Sequence, residues 1–100
     1  MRHTLPLGQI VVTPRAQEAL RKVGQDPMAY VCRHARGDWG KALTASEIME
    51  NDDAVENGGQ VLSAYYYRRS QVLWMETEAE VWVITDEDRS KTTVLLPEEY

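Results

Sequence analysis

The chain is poor in cysteine and has no long hydrophobic run, and each absence excludes a class of protein. Its only cysteine, Cys32, leaves no second thiol for an internal disulfide and no set of cysteines for a zinc site. No apolar run approaches the roughly 20 residues of a membrane-spanning helix. No apolar segment of signal-peptide length follows Met1, so we expect a cytoplasmic protein. The length of 100 residues and the apolar content of 43% predict one domain, residues 1–100.

The sequence also lacks the common motifs of phosphate, metal and nucleophile sites. It has no glycine-rich phosphate-binding loop, no nucleophile elbow and no HExxH zinc motif. The acidic run at residues 86–88 lacks the spacing and the central glycine of an EF-hand calcium loop. We therefore expect no metal and no cofactor.

Positive charge is scarce, and most of it lies in the first part of the chain. Eleven Arg and Lys residues face sixteen Asp and Glu residues, which gives a net charge of -5. Residues 1–43 carry seven of the cations and only three of the carboxylates. A net-negative chain does not attract phosphate backbones over long range, so nucleic-acid binding is possible but disfavoured. The basic first part still allows a local positive patch.

A short β-branched run at residues 9–12 predicts a strand. Three helix-start signals follow it. Thr13-Pro14 and Asp26-Pro27 each place a capping residue before a proline, and Thr44 with Glu47 forms a capping box. Glycines end the three predicted helices: Gly24, Gly37 and Gly58. The apolar stripe of the second helix is predicted at Met28, Val31, Cys32 and Ala35.

After Gly59 the apolar pattern becomes typical of strands. The segments rich in β-forming residues are 61–67, 72–75, 81–84 and 92–96. Pro97 ends the last of them, because proline cannot donate to a strand ladder. The order predicts an α+β fold with an N-terminal strand and three helices, followed by an antiparallel meander of three or four strands.

The segment RHARGDWG at residues 33–40 concentrates groups that can carry chemistry. His34 lies in the last turn of the second predicted helix, where the helix dipole favours the imidazolium. Beside Arg33 or Arg36, that imidazolium could hold an anion or act as a general acid. A contact with Asp38 would keep it protonated near neutral pH.

The same segment has a structural interpretation. Cations at a helix C-terminus stabilise the helix without serving any ligand. Gly37 and Gly40 allow a tight reversal, and Trp39 inside that reversal is expected to fold onto the core. Arg89 and Asp88 can likewise serve only to fix a turn.

Most of the chain resembles a family of small bacterial proteins from plasmids, phages and integrated elements, often described as plasmid-related proteins. The resemblance is carried by RHARGDWG, Asn51, VLSAY at residues 61–65, VWVITDEDRSKTTVLLPEEY at residues 81–100, and the opening LPLGQIVVTPRAQEAL. It implies association with mobile elements and no established activity. Beyond RHARGDWG, the matching positions are Asn51, Ser63, Tyr65, Trp82, Ile84, Thr85, Asp88, Arg89, Ser90, Thr92, Thr93, Leu96, Pro97 and Tyr100.

The chain departs from this family pattern at residues 66–80, which replace a shorter, glycine-containing hairpin; Glu47 and Gln60 are smaller departures. The inserted segment contains residue types that are enriched at protein interfaces: Tyr66, Tyr67, Arg68, Arg69, Trp74 and Met75. We expect these residues to bind a protein partner or a second copy of the chain. The alternative is a longer buried hairpin in which Trp74 packs on the sheet.

Two functions are compatible with the sequence. The favoured one is a small accessory protein of mobile elements that binds a protein partner. The alternative is a metal-independent endoribonuclease, by analogy with the architecture of barnase-like and RelE-like nucleases. Its candidate catalytic residues are His34, Arg36, Asp38, Ser63, Tyr65, Thr85, Arg89 and Thr93. The excess of acidic residues weighs against this alternative.

Overall fold

The computed structural model describes residues 5–68 and 78–100, and over these residues the chain has an α+β fold. The elements in chain order are β1 (Gln9–Val12), α1 (Pro14–Lys22), α2 (Pro27–Ala35), α3 (Ala45–Asn57), β2 (Val61–Arg68), β3 (Glu78–Thr85), β4 (Lys91–Leu95) and a 3-10 turn (Pro97–Glu99). The predicted order of one strand, three helices and further strands is confirmed. The strand predicted at residues 72–75 lies outside the described residues. None of the described helices is long and apolar enough to cross a membrane.

The four strands form one mixed sheet in the order β1-β4-β3-β2. The pairs β2–β3 and β3–β4 are antiparallel, as expected, but β1 pairs with β4 in parallel. The predicted antiparallel meander is therefore confirmed for β2, β3 and β4, and the parallel pairing of β1 makes the whole sheet mixed. The reason is topological: the chain leaves β1 through three helices, enters the sheet at the far edge, and returns to β1 only after two antiparallel reversals.

Each helix begins where its capping residue was predicted. The side chains of Thr13, Asp26 and Thr44 accept hydrogen bonds from backbone N–H groups of the first turns. Thr44 and Glu47 satisfy each other's backbone groups in a complete capping box. These signals are local, so the sequence alone is enough to locate them.

The apolar stripe of α2 differs from the predicted one. Pro27, Tyr30, Val31 and His34 are the buried residues of this helix. Cys32 is exposed, and Met28 keeps 41% of its surface accessible. Val31 was predicted correctly, but Met28 and Cys32 were not, and the buried face of the helix directs His34 into the interior.

All three helices cover the same face of the sheet. The main core joins Ala16 and Leu20 of α1 and Tyr30 and Val31 of α2 to the sheet. The sheet contributes Tyr65, Tyr67, Val81, Val83 and Val94 to this core, and Leu96 follows β4 directly. A second cluster joins Ala54 of α3 to Leu5, Trp39 and Val61. On the opposite face the ring of Trp82 packs edge-on against Tyr100, with centroids 5.5 Å apart.

Strands β2 and β3 extend beyond the end of β4. The last residue of β4, Leu95, pairs with Trp82, whereas β3 continues to pair with β2 as far as Glu78 opposite Arg68. Residues 66–68 and 78–80 therefore form a two-stranded extension of the sheet, which we call the β ribbon.

Candidate functional site

His34 is the centre of a buried chain of hydrogen bonds. It has no exposed surface, and its Nδ1 lies 2.5 Å from the hydroxyl of Ser63 in β2. Its Nε2 lies 2.8 Å from the hydroxyl of Thr85 in β3. The hydroxyl of Thr85 is 2.7 Å from that of Thr92 in β4, and Thr92 donates to the carbonyl of Leu7 at 2.8 Å. The chain links α2, three strands and the segment before β1.

The carbonyl of Leu7 fixes the direction of the bonds from Thr92 back to His34, because a carbonyl can only accept. Thr92 uses its single proton on Leu7 and must therefore accept from Thr85. Thr85 in turn must accept from the Nε2–H of His34. When the imidazole is neutral, Nδ1 accepts the hydroxyl proton of Ser63. The chain thus requires the proton of a neutral His34 to lie on Nε2.

The electrostatic surroundings of His34 favour the same neutral form. Burial lowers the pKa of His34 from 6.5 to about 4, and the positive charge of Arg89 acts in the same direction. The contact with Asp38 that would have kept this residue protonated near neutral pH does not form. Asp38 pairs with Arg33 instead and lies outside the core.

Asp38 and Arg33 form an ion pair at the surface. The Nε of Arg33 donates to the Asp38 carboxylate at 2.6 Å, and this bond lowers the pKa of Asp38. The same guanidinium lies over the ring of Tyr65, 4.5 Å from its centroid. The hydroxyl of Tyr65 donates to the backbone carbonyl of Asp38 at 2.7 Å. Burial raises the pKa of Tyr65, so the phenol remains a donor and not a base.

Trp39 closes the cluster from the side of the loop after α2. It is only 7% exposed, and its ring meets His34 edge-on with centroids 5.7 Å apart. Its indole N–H donates to the carboxylate of Asp52 at 3.0 Å. Gly40, next in the chain, has a φ of +86°, and a Cβ at this position would clash with the carbonyl of Ala64. Gly37 likewise has a φ of +84°.

Arg89 caps the end of α3. Its guanidinium donates to the carbonyl of Gly59 at 2.6 Å and to that of Ala54 at 2.7 Å. These carbonyls lie at the C-terminal end of the helix, where a positive charge also complements the helix dipole. Arg89 holds a left-handed conformation with a φ of 62°, and Asp88 accepts two hydrogen bonds from Ser90 in the same turn.

The ribonuclease candidates separate into an interior and an exterior group. His34, Ser63 and Thr85 meet in the buried chain, whereas Arg36 and Asp38 are exposed. Thr93 points to the opposite face of β4 from Thr92, so Thr92 is the threonine that sequence reasoning missed. The sequence did hold a signal for this: Thr92 is two residues from the apolar Val94, so the alternation of a strand places both on the core face.

The cluster is a closed structural unit. A histidine with no exposed surface cannot contact an RNA phosphate or a sugar hydroxyl. Within the described parts of the chain, every buried side-chain nitrogen and oxygen has a hydrogen-bond partner. No group of three metal-ligating side chains occurs among the same residues. The cluster can hold the sheet and α2 in register, but it presents no reactive atom.

In contrast to the buried cluster, the β ribbon has exposed side chains. Tyr66 is 49% exposed, and Arg68 is exposed as well. Tyr67 points to the helix face and is only 6% exposed, so the expectation that it offers a binding surface was wrong. The other expected interface residues, Arg69, Trp74 and Met75, lie outside the described residues.

Tyr66 separates two clefts of opposite charge. A cleft of about 210 Å³ is lined by Arg33, Lys41, Tyr65 and Tyr66. A second cleft of about 270 Å³ is lined by Tyr66, Tyr67, Glu78, Ala79, Glu80, Leu96, Pro97 and Glu98. The base of the ribbon therefore presents an exposed aromatic ring between a basic and an acidic surface.

Comparisons with known proteins leave the function to be argued from this geometry. No protein-family model matches the chain, and searches of curated proteins and of solved structures find no similar protein.

Proposed function

We propose that this chain is an accessory protein of a bacterial mobile element that acts by binding a protein partner through the β ribbon. The observation that carries the proposal is the exposed Tyr66 on a ribbon that extends beyond the four-stranded part of the sheet. Tyrosine and arginine are enriched at the centres of protein interfaces. A two-stranded ribbon also leaves backbone groups free to pair with another chain.

The residues that build the fold and the surface that we assign to the partner lie in different parts of the chain, which supports this proposal. Several residues that carry the resemblance to plasmid-related proteins build the fold itself: His34, Ser63, Thr85 and Thr92 form the buried chain, and Arg89 caps α3. The ribbon belongs to the segment in which this chain departs from that family pattern. The surface that we assign to the partner is thus the part most particular to this protein.

The chemistry of the buried cluster favours binding over catalysis. A ribonuclease of the barnase-like kind needs a base, an acid and a cation that meet at an accessible phosphate site. Here the imidazole is buried, Asp38 is paired with Arg33, and the guanidinium of Arg89 is bound to backbone carbonyls. The geometry therefore gives the ribonuclease alternative no support.

The proposal is tested by affinity capture from cells that carry the parent element, with the tagged chain and two variants as bait. Tyr66→Ser removes the exposed ring of the ribbon. Met49→Ser is the matched control, because Met49 is a large apolar residue on α3 that is 72% exposed. We expect the wild type and Met49→Ser to retain the same stoichiometric partner and Tyr66→Ser to lose it. A partner retained by all three baits, or by none, would contradict the proposal.

A further inference from the structure

The outer edge of the sheet is formed by β2, and part of that edge is covered by the chain itself. The N–H of Leu62 donates to the side chain of Asn51, whose amide nitrogen donates to the carbonyl of Leu62. The N–H of Ala64 donates to the carbonyl of Trp39, and its carbonyl accepts from Ala42. The backbone groups of residues 62 and 64 thus point away from β3 and are occupied.

Over the part of the chain that the structure describes, the same edge is open at the next two alternate residues of β2. Tyr66 and Arg68 follow Ala64 at the two-residue spacing of a strand, so their backbone N–H and C=O groups point the same way. No backbone group within residues 5–68 and 78–100 bonds to them on that side. The covering provided by Asn51 and the loop after α2 stops where the β ribbon begins.

The open edge lies beside the basic cleft. Lys41, which lines this cleft, is exposed and forms no ion pair with the described part of the chain. Arg33 lines it too, and its charge is offset by Asp38. Arg68 adds an exposed guanidinium on the edge strand itself. Glu78 lies opposite Arg68 in the β2–β3 register, so Lys41 supplies the main positive charge beside the open strand backbone.

We propose that the β2 edge at Tyr66 and Arg68 binds an extended, acidic segment of a partner protein as an added strand. The backbone of that segment would pair with the open N–H and C=O groups, and its carboxylates would face Lys41 and Arg68. This inference rests on the proposed function, since it names the chemistry of the partner that the ribbon binds.

Charge and backbone geometry favour this occupant over two others. A second copy paired through the same edge would bring two copies of the basic surface together, which costs free energy. A nucleic acid has phosphates for the cations but no ladder of amide groups for the strand edge, and the net charge of the chain repels it. An acidic polypeptide satisfies both features.

The test is fluorescence anisotropy with a labelled peptide of alternating glutamate and threonine. One control peptide replaces glutamate by glutamine, and another is N-methylated at alternate residues so that it cannot pair as a strand. Lys41→Glu is compared with Lys22→Glu, which makes the same charge change on α1 at a different cleft. We expect Lys41→Glu to weaken binding about threefold to tenfold, and Lys22→Glu to leave it unchanged.

Several results would overturn this inference. They are no binding of the acidic peptide, equal binding of either control peptide, equal loss in Lys22→Glu, tighter binding of a labelled RNA of similar length, or dimerisation that requires Tyr66. Failure here is distinguishable from failure of the proposed function. If Tyr66→Ser loses a captured partner but the acidic peptide does not bind, the ribbon remains a partner site and only the acidic strand is refuted.

Discussion

The imidazole of His34 and the hydroxyl of Ser63 lie 2.5 Å apart in the interior, although 29 positions separate them in the sequence. This contact ties α2 to β2, and the bonds through Thr85 and Thr92 extend the tie to β3 and β4. Because the terminal carbonyl of Leu7 only accepts and burial keeps His34 neutral, the whole chain has one proton arrangement. A network with all its members satisfied specifies one packing of α2 on the sheet.

The central hydroxyl of this network is predicted to matter most. Thr85→Val keeps the shape of the side chain but leaves the Nε2–H of His34 without its acceptor. We expect the free energy of unfolding to fall by about 1–3 kcal/mol, as for a buried donor left unpaired. Thr93→Val is the control, because Thr93 lies on the other face of the sheet and is partly exposed. Urea denaturation that gives the same midpoint for both variants would contradict the prediction.

The pH dependence of stability is predicted to carry the signature of a buried neutral histidine. The folded pKa of His34 is about 4, below its unfolded value near 6.5, so between these values the unfolded chain binds a proton that the folded chain does not. The stabilisation is therefore complete above pH 6.5 and is lost as the pH falls towards 4, by up to about 3 kcal/mol. Denaturation at stepped pH measures the slope.

His34→Gln is expected to remove most of this slope between pH 6.5 and 5. Asp38, whose pKa is lowered by Arg33, contributes a loss of stability only at lower pH. Thr93→Val, on the other face of the sheet from this network, serves as the control and should retain the wild-type slope. If His34→Gln keeps the slope as well, the histidine is not the titrating group.

The same burial predicts that the purified protein does not cleave RNA. The imidazole that a ribonuclease mechanism would use has no exposed surface. A labelled single-stranded RNA incubated with the protein should stay intact on a denaturing gel across the pH range in which the fold is stable. Cleavage that disappears in His34→Gln, with the fold retained, would restore the enzymatic alternative.

The helices were predictable from the sequence because their signals are local, whereas the placement of His34 was not. Thr13, Asp26 and Thr44 cap helices through bonds that span only two or three residues. The orientation of α2 depends instead on packing, and the apolar Met28 proved to be exposed while His34 is buried. A histidine is a polar residue, so the sequence pattern does not place it in the core. Its burial becomes favourable only through Ser63 and Thr85, which are distant in the sequence.

The parallel pairing of β1 with β4 could not be predicted from local sequence signals either. Ile10 pairs with Thr92, and this register depends on three helices and two strands folding between them. In the candidate site, residues 66–80 stand out in the sequence by their interface-type composition, but the sequence could not show which tyrosine is exposed. The alternation of β2 settles this, since Tyr66 faces away from the helices and Tyr67 faces the core.

Trp39 is predicted to be one of the most important side chains for stability. Trp39→Ala removes an aromatic ring that is 7% exposed and in contact with His34, so we expect a loss of about 3–5 kcal/mol. Trp39→Phe keeps most of the packing and removes only the bond to Asp52, for which we expect about 1 kcal/mol. Thermal unfolding of Trp39→Ala close to that of the wild type would contradict this role.

Gly40 is predicted to control whether the loop after α2 covers the β2 edge. Gly40→Ala combines a φ of +86° with a clash against the carbonyl of Ala64, and we expect it to cost about 3 kcal/mol or more. Gly24→Ala is the matched control, because its φ is +70° but a Cβ there meets nothing within 4 Å, so only the backbone cost of about 1–2 kcal/mol applies. The difference between the two free energies of unfolding measures the cost of the clash between the added Cβ and the carbonyl of Ala64.

Hydrogen exchange gives a second measurement of the Gly40 prediction. It should show a faster rate at the N–H of Ala64 in Gly40→Ala alone, since the bond of this N–H to Trp39 is lost. Equal destabilisation by both variants, with Ala64 still protected, would show that the loop does not depend on this contact.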